Sequence, residues 1–202
     1  MSSIKLTGDT SGEITISAPA VAGTNTLTLP ASTGTVALTS DITSVSGAFT
    51  PQADLWRLTA NVTADTGGIS SNWERPDDTA GGISVVGKVG TGMTESSGVF
   101  KFPATGIYLV SSMVLIQPVN DSDNVLWLTY VSGDNGSNYD SAAQCLGSDP
   151  NTTVYSQCLV DCTNTTNTCV KFGVISLTTG GSIAGNTNSN ETCVSFIKVG
   201  ET

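Results

Sequence analysis

The sequence contains no histidine. That removes the side chain most often used as a general base near neutral pH, and with it the commonest metal ligand. A Ser-His-Asp or Cys-His site built within one chain is excluded. Basic residues are scarce too: 7 Lys and Arg stand against 17 Asp and Glu, for a net charge of −10. They are scattered rather than clustered, whereas a nucleic-acid partner requires a basic face that displaces counterions. No nucleic-acid partner is therefore expected. Long apolar runs are also missing, which predicts neither a signal peptide at Met1-Ser2-Ser3-Ile4-Lys5 nor membrane insertion.

Cysteine is present but in an odd number: Cys145, Cys158, Cys162, Cys169 and Cys193. Five thiols do not make a fully paired secreted framework, and no Cys-x-x-Cys pair offers a zinc site. The expectation is a chain made in a cytoplasm with reduced thiols. Cys162 and Cys169 flank the polar loop 163–168, and two readings stay open. They could pair across a hairpin after release into air, or they are buried thiols acting as small hydrophobes.

What is abundant is Ser, Thr, Asn and Gly, with 38% apolar and only 12% charged residues. Such a composition fits short strands separated by many turns. Residues 1–40 carry no aromatic side chain. Short alternating pieces recur there: Ile4-Lys5-Leu6, Glu13-Ile14-Thr15-Ile16, Thr26-Leu27-Thr28-Leu29 and Thr35-Val36-Ala37-Leu38. A stretch this poor in large apolar residues cannot offset its own ordering entropy, so it needs a partner. Three copies in a shared β-structure would supply one, as would a groove on a larger assembly. Residues 41–53 read as a linker with a weak helix signal at 41–45.

From Asp54 onward all three Trp, all four Tyr and four of the five Phe appear, so the main core is expected in residues 54–202. Strands are predicted at 55–61, 83–86, 98–102, 107–116, 125–132, 154–160, 169–177 and 192–199. No helical periodicity is visible. The predicted fold is all-β, a jelly-roll sandwich preceded by a short-strand attachment region. The strand 107–116 is apolar on both faces, with Ile107, Leu109, Met113 and Leu115 on one and Tyr108, Val110, Val114 and Ile116 on the other. Such a strand needs cover beyond its own sandwich, and a subunit interface supplies it. Tyr108, Val110, Val114, Trp127, Phe172 and Phe196 are the expected interface side chains.

Two resemblances sharpen this reading. Trp56-Arg57-Leu58-Thr59-Ala60, Phe102-Pro103-Ala104-Thr105-Gly106-Ile107-Tyr108 and the closing strand Thr192 to Gly200 resemble the complement-component and tumour-necrosis-factor-like jelly-roll superfamily. That resemblance implies a homotrimer. The string Gly8-Asp9-Thr10-Ser11-Gly12-Glu13-Ile14-Thr15-Ile16, then Gly23-Thr24-Asn25-Thr26-Leu27-Thr28-Leu29-Pro30 and Thr33-Gly34-Thr35-Val36, resembles the N-terminal segment of structural proteins from marine tailed bacteriophages. It implies a virion protein that docks through Ile4, Leu6, Ile14, Ile16, Leu27 and Leu29 and displays a distal head.

Two smaller signals each have a functional and a structural reading. Trp73 and Arg75 form an aromatic–cation pair typical of ligand contacts, although Trp73 also fits a plug at the sandwich end. Asp121, Asp123 and Asp134, with Asn120, Asn124 and Asn135, offer oxygen ligands of the kind calcium takes, and equally suit Asx turns. No other cofactor is expected. No catalytic carboxylate pair stands out, so no enzyme is expected. The expected function is a trimeric capsid decoration protein or head fibre, the shortness of the chain favouring decoration. The alternatives are a short tail fibre that binds a host glycan or protein, and a complement-type module that binds through apex loops.

Overall fold

The computed structural model describes residues 3–21, 23, 24, 26, 31, 50–76, 87–117, 124–149 and 151–202. The chain divides into two compact units, Met1–Val45 and Ser46–Thr202. In the first, strands β1 (Ser3–Thr7) and β2 (Glu13–Ser17) form an antiparallel ribbon whose turn is closed by Gly8 N–H donating to the Gly12 carbonyl at 3.0 Å. Residues 27–29 of the expected strand at 26–29, the expected strand at 35–38, the helix signal at 41–45 and the strand at 83–86 lie outside the described residues.

The second unit is a two-layer antiparallel sandwich. Its strands are β3 (Ala53–Leu58), β4 (Trp73–Glu74), β5 (Lys88–Val89), β6 (Thr94–Ser96), β7 (Val99–Lys101), β8 (Gly106–Gln117), β9 (Val125–Ser132), β10 (Asp140–Gly147), β11 (Thr152–Cys162), β12 (Cys169–Ile175), β13 (Ser182–Ile183) and β14 (Cys193–Gly200). One sheet runs β10-β9-β12-β7-β6. The other runs β11-β8-β14-β3-β4, with β13 added to β8 and β5 to β3. The fold is an all-β jelly roll, and no helix occurs among the described residues.

Alternation builds the core. In β8 the even residues Tyr108, Val110, Val114 and Ile116 point between the sheets and are almost wholly buried. They meet an aromatic cluster drawn from both sheets. Phe100 packs on Phe196 (5.2 Å between ring centres), Trp56 (5.5 Å) and Trp73 (5.4 Å), and Trp127 stacks on Phe172 at 5.7 Å.

The Phe102–Tyr108 segment works as a clamp on the turn into β8. The Tyr108 hydroxyl donates to the Ala104 carbonyl at 2.9 Å, and the Phe102 and Tyr108 rings lie 4.6 Å apart. Gly106 sits at φ 141°, where a Cβ would come within 2.2 Å of the Lys198 side chain and 2.7 Å of the Gly200 carbonyl. Only glycine fits there.

Candidate functional site

The outer face of the seven-stranded sheet leaves large side chains open to solvent. Three register rows cross β11, β8 and β14 on that face. Tyr155, Met113 and Cys193 form one row, Gln157, Ser111 and Ser195 the next, and Leu159, Leu109 and Ile197 the third. None of these nine residues is charged in a chain of net charge −10. Tyr155 is 60% exposed and Leu159 66% exposed, with Ile197 and Val199 also open to solvent. With strands about 4.8 Å apart, the patch is about 10 Å wide and, over the five residues from 155 to 159, about 13 Å long. The face is uncharged and mixed: the polar row Gln157, Ser111 and Ser195 separates two rows that carry Tyr155, Met113, Leu159, Leu109 and Ile197.

This position corrects the expected interface. Tyr108, Val110, Val114, Trp127, Phe172 and Phe196 are each no more than 1% exposed in the single chain. They are the packed interior between the two sheets and offer no surface to another subunit. Strand β8 is two-faced as expected, but its outward side chains are Ile107, Leu109, Met113 and Leu115. Tyr155 and Leu159 were missed, although β11 carries the same signal: 154–160 is apolar at several positions of both parities.

The aromatic–cation pair is likewise structural, which corrects the expected ligand contact. Trp73 packs against Phe100 and Phe172, and its Nε1–H donates to the Ile69 carbonyl at 2.8 Å. Arg75 donates to both carboxylate oxygens of the buried Asp54 at 2.9 Å and to the Met93 carbonyl at 2.6 Å. Its guanidinium lies 4.3 Å from the centre of the Trp56 ring. Asp54 also accepts from Met93 N–H at 2.7 Å, so this corner ties β3 to the segments around residues 75 and 93.

Of the oxygen-rich loop, Asn120, Asp121 and Asp123 lie outside the described residues. Asp134 is spent locally: it accepts from the Ser132 hydroxyl at 2.8 Å and from the Asn138 backbone and side-chain N–H groups at 2.9 and 2.7 Å. Those bonds hold its carboxyl down at about 2. Asn135, at φ 60°, accepts from Lys101 at 2.5 Å. This is an Asx-turn network of the kind that shapes a strand connection. Among the described residues no group of three or more His, Cys, Asp or Glu side chains converges on a metal position.

The five thiols are free. Cys162 belongs to the interior cluster with Tyr108, while Cys169 faces the Tyr139 hydroxyl at 3.4 Å. Burial pushes the Cys145, Cys158, Cys162 and Cys193 thiols up, so they stay protonated and unreactive at neutral pH. A cleft of about 250 Å³ beside residues 61–72 is lined by polar groups already in use. Asn61 bonds Ser182 and Gly185, and Asp65 accepts from Ser176 N–H and Leu177 N–H.

The architecture therefore defines a jelly-roll sandwich with an uncharged outer sheet face and, among the described residues, no metal-binding cluster. Solved structures share that fold. Murine APRIL at pH 8.5 is 15% identical, with 74% of this chain and 99% of that chain covered at a TM-score of 0.51. Eiger TNF from S. frugiperda is 11% identical, with 74% of this chain and 93% of that chain covered, also at 0.51. The sequence matches no protein-family model and no curated protein sequence. The likeness to tumour-necrosis-factor-type structures is one of fold.

Proposed function

We propose that three copies of this chain close around a common axis through the outer face of the seven-stranded sheet. The product is a homotrimeric virion structural protein of a bacteriophage, acting as a capsid decoration protein or head fibre. The observation that carries the assembly is the uncharged face centred on Leu109, Met113, Tyr155 and Leu159. Water contact with that face is unfavourable, and a symmetric interface removes it without adding a residue.

The virion placement rests on the N-terminal string from Gly8 to Val36, which resembles the attachment segments of tailed-phage structural proteins. In this reading residues 1–40 attach the trimer to other virion proteins and the jelly roll is displayed outward. Ile4, Leu6, Ile14 and Ile16 are exposed side chains of that attachment region, while Leu27 and Leu29 lie outside the described residues. The role needs no reaction, no cofactor and no nucleic acid.

Imaging of phage particles with a label fused after Thr202 tests the placement. Label distributed over the capsid is the expected result. Label confined to the tail tip would favour the tail-fibre alternative, with binding to a host glycan or protein, and particles without label would contradict a virion role.

A further inference from the structure

The ribbon of β1 and β2 has two unlike faces. On one, Ile4 stands opposite Ile16 and Leu6 opposite Ile14, all four between 53% and 68% exposed. On the other stand Ser3, Lys5, Thr7, Glu13, Thr15 and Ser17, with Lys5 and Glu13 paired at 2.8 Å. The charges of the ribbon strands are therefore matched within the ribbon, and the aliphatic face carries none. A two-stranded ribbon is marginal in water without a covered face.

We infer that the aliphatic faces of the ribbons from the three copies pack on one another, so that Ile4, Leu6, Ile14 and Ile16 form a second contact about the threefold axis. This deepens the homotrimer reading and rests on it, and it takes these four side chains out of the particle-docking set, leaving docking to the remainder of residues 1–40. Size decides the occupant. Four half-exposed aliphatic side chains offer on the order of 300 Å² of apolar surface. A stable partner interface takes roughly 800 Å² on each side. The face is too small to hold an independent partner by itself. It is large enough for copies already tethered in one assembly, where the effective concentration is roughly millimolar. Three uncharged faces can meet without burying an unpaired charge, and the Lys5–Glu13 pairs remain outside in water.

The test is oxidative cross-linking of the full-length assembly carrying Ile14→Cys, with Thr15→Cys as the polar-face control and the unsubstituted chain as background. Copper phenanthroline takes two electrons from each thiol pair and two protons are released as the disulfide forms. The expected result is at least five-fold more covalent dimer from Ile14→Cys than from Thr15→Cys. Hydrogen exchange on the unsubstituted assembly should show the β1 and β2 amides protected. Equal cross-linking of the two variants in an assembly that still weighs as three chains would overturn the ribbon contact alone. Ribbon amides exchanging as in an unfolded peptide would do the same. An assembly that weighs as one chain would overturn the homotrimer and the ribbon contact together.

Discussion

Tyr108 combines three roles in one side chain. Its ring packs on Phe102, its hydroxyl ties down the Ala104 carbonyl, and burial, with Cys162 and Glu201 nearby, pushes its ionisation up to about 12. The folded chain therefore holds a proton that an unfolded one releases near pH 10. The corresponding stability is full below that value and is lost as the pH rises through about 12, so alkaline melts should show a decline over that window. Tyr108→Phe should flatten the decline and lower stability by about 1 kcal/mol in urea unfolding, because the Ala104 carbonyl loses its donor. Asp54 is the sharper case: its side chain is 1% exposed, and Arg75 is its ion-pair partner. Arg75→Ala should cost about 3 kcal/mol by the same measurement, since it leaves a buried carboxylate without its counter-charge. Neither Asp54 nor Arg75 revealed this role in the linear pattern. Arg75 and Trp73 stand together as a binding pair would, and only the partners drawn in from β3, residue 93 and the Phe cluster make them structural.

At the level of strands, alternation was legible and orientation was not. The predicted strands over β3, β7, β8, β9, β11, β12 and β14 all form, because apolar residues recur at period 2 between Gly-, Pro- and Asn-rich turns. In β8 both parities are apolar, so exchanging the faces leaves the pattern intact. What settles the choice is the opposite layer: Tyr108 packs on Phe102, and Phe196, the register partner of Val110, packs on Phe100 and Phe172, which places the even residues inside. Strand β10 was not anticipated, because 140–147 is polar and Ala-rich and most of it is exposed at the sheet edge. Its bulge between Ser141 and Ala143 disrupts the ladder there, a common guard on an edge strand. The short β4, β5 and β13 are segments of two residues recruited by their neighbours, too brief to leave a periodic signal. The two faces of β8 make opposite predictions. Val114→Asp should abolish the folded state in circular dichroism, because it buries a charge in the packed interior. Leu109→Asp should keep the β-sheet spectrum and dissociate the assembly.

For the molecule as a whole, the absence of His and of a basic cluster limits function more than any motif does. The Phe102–Tyr108 segment pointed to the jelly roll that the sandwich displays. The same segment could not name the assembly face, because a subunit interface is chosen by the sheet left uncovered once the core has closed. The most direct test is the mass of the intact chain in solution by analytical ultracentrifugation at micromolar concentration. A single species of three times the 20.6 kDa chain is expected, falling to one chain on Leu109→Asp or Leu159→Asp. A monodisperse 20.6 kDa species, with Tyr155 and Leu159 open to water, would contradict the homotrimer.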